Sequence, residues 1–147
     1  VIKKVWVYLI RVGTPDIELL VFDHVDVDAG VQIPAGTVEP NEDLATAVQR
    51  ELMEEAGIAV ESFTALEVFE REWDGQLVQA HLFAAWAPPN VRKEWIHHVK
   101  GKGEDDGILF RCYWLPRAEW NKVYGDFNLG YPALNQFITN SRLNEKL

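Results

Sequence analysis

The chain has 147 residues, 48% of them hydrophobic, and a formal net charge of −9, which predicts one compact domain over residues 1–147 with a substantial core. The acidic balance argues against non-specific nucleic-acid binding, which needs a dominant positive surface to release counterions. A single cysteine, Cys112, excludes an internal disulfide and a multi-cysteine zinc site; no apolar run approaches the roughly 18 residues of a spanning helix, and no segment resembles a cleavable signal, so a cytoplasmic protein without a membrane partner is expected.

In chain order, Val5 to Ile10 is β-rich, and Glu18 to Phe22 forms a second short strand beyond the turn residues Gly13, Pro15 and Asp16. An apolar run ends in Gln32-Ile33-Pro34-Ala35-Gly36, where Gly36 is expected to supply backbone angles closed to other residues. The helix that follows carries Glu42 and Asp43 in its first turn, favourable to the helix dipole, and closes at Gly57 as a left-handed cap. Ser62 to Trp73 and Leu77 to Trp86 read as two strands around Asp74-Gly75-Gln76, ended by Pro88 and Pro89. Asn90 to Gly107 is polar, with three glycines in its last seven residues, and is expected to be a long loop with a short ordered turn at Trp95. Ile108 to Leu115 is another strand, Pro116 to Tyr124 has helix-start character, and Ala133 to Leu143 places Leu134, Phe137 and Ile138 at helical spacing.

Chemistry concentrates in the first helix. At about 100° per residue, with Glu51 at zero, Glu54 falls near −60° and Glu55 near +40°, in one stripe that is apolar at Leu44, Ala47 and Val48 and acidic beyond them. Most Glu-rich helices simply expose their acids to solvent. Here the acids continue the inward face, where clustered carboxylates repel and lose hydration, a cost that a divalent cation relieves. Hard oxygen donors suit magnesium or manganese. Arg50 lies beside the stripe, four residues before Glu54, and is placed to orient the carboxylates by ion pairing.

The segment from Gly36 to Ile58 reads Gly, five residues, Glu42, seven residues, then Arg50-Glu51-Leu52-Met53-Glu54-Glu55-Ala56-Gly57-Ile58. This resembles the Nudix box at every specified position, a specific signal among short motifs. The resemblance implies an α/β fold, the Nudix-like α/β/α sandwich with a mixed sheet. It also implies a metal-dependent hydrolase of diphosphate linkages in nucleoside diphosphate derivatives, with water attacking phosphorus. By motif position, Glu51 and Glu55 are implied metal ligands and Glu54 a third ligand or a water-mediated contact. Gly36 is implied to lend a backbone carbonyl, and Glu51 or Glu54 to serve as base. Glu42 is assigned a structural role.

Many members of that family add an acid from a later loop, for which Glu104 is the choice within Gly103-Glu104-Asp105-Asp106-Gly107, with Glu94 as a substitute; an ordinary acidic turn accounts equally well for the triplet. The basic residues Arg92, Lys93, His97, His98, Lys100 and Lys102 could hold terminal phosphates, although a solvated face is the simpler account. Trp95 and Trp73 are candidates to stack a nucleobase. Cys112, flanked by Arg111 and Tyr113 in a strand pattern, reads as a packed thiol rather than a nucleophile. Ser62 and Ser141 lie outside any nucleophile-elbow context, which sets aside a Ser-His-Asp hydrolase.

The run Phe110-Arg-Cys-Tyr-Trp-Leu-Pro116 resembles a pattern of dinucleoside polyphosphate and nucleoside triphosphate hydrolases, and points to a nucleoside triphosphate or similarly compact nucleotide as substrate. Dinucleoside polyphosphates, nucleotide sugars, RNA 5′ ends and a non-catalytic binding module of the same fold are the alternatives. The intact set of box carboxylates disfavours the last, and oligomeric state is left open.

Overall fold

The computed structural model describes residues 1–100 and 107–145, excluding the side chains of residues 143–145. The strands are β1 (Ile2–Val12), β2 (Ile17–His24), β3 (Ala35–Thr37), β4 (Thr64–Trp73), β5 (Gln76–Trp86), β6 (Glu94–His98) and β7 (Leu109–Pro116), and the helices are α1 (Leu44–Ala56) and α2 (Tyr131–Glu145). The sheet runs β4-β5-β1-β2-β7-β6, with β3 also paired to β1. β1 and β5 are parallel and the remaining pairs antiparallel, so the sheet is mixed.

Strand periodicity divides the core into two layers. In β1, Val5, Val7 and Leu9 face α1 and pack with Ala47, Val48, Leu52 and Ala56. The alternate residues Trp6, Tyr8 and Ile10 face the other way, toward Leu134 and Ile138 of α2. Both faces of the central strand are therefore buried, as in a helix–sheet–helix sandwich.

β1 meets β2 only near its end, at Ile10 to Val12. Lower down, β3 pairs with β1 instead, placing Gly36 opposite Val5 and Ala35 opposite Trp6. The amide of Val7 donates to Pro34 O at 2.9 Å, while Phe22 and Gln32 exchange backbone hydrogen bonds at 2.9 and 3.0 Å. The segment entering α1 is thus wedged into a fork between β1 and β2.

Several expectations meet differences. Asp43 is the N-cap, its Oδ1 accepting from Thr46 N at 2.7 Å, and Glu42 precedes the helix rather than lying in its first turn. Within the stretch expected to be loop, Glu94–His98 forms a strand, because its backbone pairs with β7 from Glu94↔Tyr113 to His98↔Leu109. The segment expected to start a helix forms a 3-10 segment, Arg117–Lys122, and a second one, Gly125–Gly130, follows it. The β4–β5 hairpin turns at Asp74 and Gly75, both at positive φ (51° and 76°), as the tight two-residue connection requires.

Candidate active site

α1 presents its acids to the fork because the buried positions Ala47, Val48, Leu52 and Ala56 fix its rotation on the sheet. Glu51 belongs to the same face and is 6% exposed, the one buried charged residue among those described. Gly57 ends the helix at φ 70°; its amide donates to Met53 O at 3.1 Å and that of Ile58 to Leu52 O at 3.4 Å.

Arg50 organises this face. Its Nε donates to Glu42 Oε2 at 2.7 Å and its Nη2 to Glu42 Oε1 at 2.8 Å, a two-pronged contact. Nη1 reaches Glu51 Oε1 at 2.8 Å and Glu54 Oε2 at 3.3 Å, and Nη2 also donates to Thr37 O at 3.0 Å. One guanidinium therefore ties the turn before α1, the end of β3 and two helical acids together. Hydrogen bonding to Arg50 draws the Glu42 carboxyl down to about 2. Burial pushes Glu51 up, against the field of Arg50, and the charge of Glu54 adds to the rise.

Gly36 lies beneath Glu51. A β-carbon at residue 36 would stand 1.9 Å from Glu51 Oε1 and 2.2 Å from its carboxyl carbon. Gly36 is not among the glycines of positive φ, so the expected conformational reason is replaced by a spatial one: the carboxylate occupies the volume of a side chain. One residue earlier, the amide of Ala35 donates to Glu55 Oε1 at 2.9 Å.

The donor chemistry here, carboxylate oxygens packed against a bare backbone, suits a hard divalent cation. Among the described residues, however, no three acidic, histidine or cysteine side chains meet as a ready coordination sphere. Arg50 supplies the positive charge between Glu51 and Glu54.

A cleft of about 690 Å³ opens over these residues. Gly36, Thr37, Arg50, Glu51, Glu54 and Glu55 line it, together with His24, Gln32, Val99 and Phe110, which carry no local sequence signal for the site. His24 and Phe110 face each other across β2 and β7 and become neighbours only through that pairing.

Other candidates lie elsewhere. Glu104, with Asp105, Asp106 and Lys102, is outside the described residues. Glu94 forms an ion pair with Arg111 at 2.6 Å instead. His97 donates from Nε2 to Glu54 O at 2.9 Å and so braces the end of α1. Trp95 Nε1 donates to Ala56 O at 3.1 Å, and Trp73 sits 64% exposed at the hairpin tip; neither lines the cleft. Cys112 is fully buried and its thiol contacts Glu55 O at 3.7 Å.

A family model described as the NUDIX domain matches residues 3–128. A Caenorhabditis elegans Ap4A hydrolase in a binary complex is similar in fold, with a TM-score of 0.63 and 22% identity over 95% of this chain and 99% of that one. The NUDIX domain of Shewanella oneidensis NrtR, complexed with ADP ribose, gives a TM-score of 0.63 at 14% identity, covering 97% and 86%. The Bacillus subtilis pyrophosphohydrolase BsRppH gives 0.60 at 21% identity, covering 93% and 81%. No curated protein sequence matches the chain. No helix among the described residues is long and apolar enough to cross a membrane.

Proposed function

The chain belongs to the Nudix family, and from that premise we propose that it is a magnesium-dependent pyrophosphohydrolase, with manganese as a substitute ion, acting on a diphosphate linkage in a nucleotide-like small molecule. The observation that carries this reading is the Arg50 clamp, which gathers Glu42, Glu51 and Glu54, with the Glu51 carboxylate packed against Gly36. Such an arrangement costs desolvation of several carboxylates, a cost that a bound divalent cation would relieve.

Glu51, Glu54 and Glu55, with the carbonyl of Gly36, are the residues that would hold the ion. When bound, a divalent cation would offset charge on the diphosphate oxygens and acidify the attacking water. The chain's own residues do the rest. Arg50 fixes the direction of Glu51 and Glu54, Gly36 leaves room for the Glu51 carboxylate, and Ala35 orients Glu55 through its amide. Glu51, Glu54 or Glu104 accepts the proton of the attacking water. Val99, which lines the cleft, accepts a hydrogen bond at 3.0 Å from the amide of Gly107.

The substrate favoured by the sequence is a nucleoside triphosphate or a similarly compact nucleotide. The fold relatives named as Ap4A hydrolase and bound to ADP ribose keep dinucleoside polyphosphates and ADP-ribose-like molecules in the test panel, and the motif itself keeps RNA 5′ ends there. The net charge of −9 weighs against the RNA. Calorimetric titration with Mg2+ and Mn2+ tests the metal site directly: binding that is lost in Glu55→Gln and in Glu51→Gln supports it, and binding retained in both contradicts it.

A further inference from the structure

The cleft has two unlike walls. α1 contributes carboxylates, whereas the ends of β2 and β7 contribute His24 and Phe110, with Gln32 beside them. Phe110 stacks on buried Phe22 at 4.1 Å with an interplanar angle of 15°, which fixes its ring, and His24 lies 4.6 Å from Phe110 at 59°. Among the described residues, the His24 ring has aromatic neighbours but no hydrogen-bond partner. Gln32 donates its amide N–H to Ala29 O at 3.0 Å, which fixes the side chain, and its Oε1 has no partner among the described residues.

α1 crosses β7 at Cys112, whose thiol contacts Glu55 O. Phe110 lies two residues further along that strand, about 7 Å at the rise of an extended chain. A group joined to a diphosphate held at α1 through one sugar would reach this shelf. Phe110 is itself 5% exposed, so the wall offers its edge together with the half-buried His24 ring and the fixed Gln32 oxygen, unpaired among the described residues; that combination suits a planar heteroaromatic ring carrying its own donors and acceptors.

We propose that His24, Gln32 and the edge of Phe110 form the nucleobase subsite of this cleft, with His24 stacking on the base and Gln32 reading its edge. The inference rests on the proposed hydrolysis of a nucleotide and deepens it by assigning residues that determine which nucleotide is accepted.

The test is equilibrium binding in Mg2+ of α,β-methylene nucleoside triphosphates with each of four bases, and of inorganic tripolyphosphate, to the full chain and to His24→Ala, His24→Phe and Gln32→Ala. Steady-state turnover is measured alongside. His24→Ala should weaken binding of the preferred nucleotide by about tenfold and raise KM similarly while sparing kcat, with tripolyphosphate binding unchanged. His24→Phe, which keeps a ring, should restore most of the loss, and Gln32→Ala should narrow the preference among bases. Equal loss for nucleotide and tripolyphosphate, or no change in either, would overturn the subsite. Cleavage of phosphoanhydrides by a wild-type chain that does not distinguish nucleotide from tripolyphosphate would overturn it too, while leaving the hydrolase reading intact. Absence of all phosphoanhydride cleavage would remove both.

Discussion

Arg50 and Glu42 meet through two hydrogen bonds, at 2.7 and 2.8 Å, eight residues apart and across the start of α1. The contact closes the turn onto the helix and leaves the third guanidinium nitrogen to hold Glu51 and Glu54. Arg50→Lys would keep the charge and lose the planar fork. It is expected to lower stability by about 1–3 kcal/mol, since charge-assisted bonds are lost and buried Glu51 loses its partner. Urea denaturation monitored by tryptophan fluorescence measures this, and an unchanged midpoint would show that the clamp is not structural.

The same contact has a pH signature. Glu42 ordinarily titrates near 4.5 and is held at about 2 by its bonds to Arg50. Because the folded value is depressed, its stabilising contribution is complete above about 4.5 and is lost as pH falls from there toward 2. Glu42→Gln should therefore be less stable than wild type at pH 6, with the difference shrinking by pH 3. A difference independent of pH would contradict the assignment.

Gly36 cannot accept a β-carbon while Glu51 keeps its position, since 1.9 Å separates the two. Gly36→Ala should force the carboxylate away from Arg50, cost about 1–3 kcal/mol, and reduce turnover at least tenfold. Combined urea melts and kinetics would reveal it. An active Gly36→Ala chain would mean that the observed position of Glu51 is not required.

Cys112 offers a control for accessibility. Burial, reinforced by the charge of Glu55, pushes its thiol up to about 12 from an ordinary 9.0. It should resist a thiol-specific disulfide reagent at pH 8 in the native state and react promptly in 8 M urea. The raised value also means that its contribution to stability, present below pH 9, declines as pH rises from 9 toward 12. Rapid native labelling would contradict the packing described for β7.

Local chemistry made part of this structure legible in the sequence. The 3.6-residue stripe of Leu44, Ala47, Val48 and Glu51 gave α1 its inward face, and Gly57 gave its end. Asp74-Gly75 marked the hairpin, and Leu134 with Ile138 marked the face of α2 that the sheet buries. What was not legible depends on partners distant in the chain. The β6 residues Glu94 to His98 carry no strong alternation and become a strand through pairing with β7. The spatial reason for Gly36 needs the Glu51 side chain, fifteen residues on, to be folded back over it. His24, Gln32 and Phe110 come from three segments, and nothing in their separate contexts signals that they share a cleft.

The central claim is best tested by magnesium-dependent release of phosphate and pyrophosphate from nucleoside triphosphates, dinucleoside polyphosphates, nucleotide sugars, ADP-ribose and triphosphate-ended RNA, with Glu55→Gln in parallel. The expected result is turnover concentrated in the compact nucleotides, falling at least a hundredfold in a Glu55→Gln chain whose circular dichroism is unchanged. Full turnover by that folded variant, or silence of the wild type across the panel, would contradict the account.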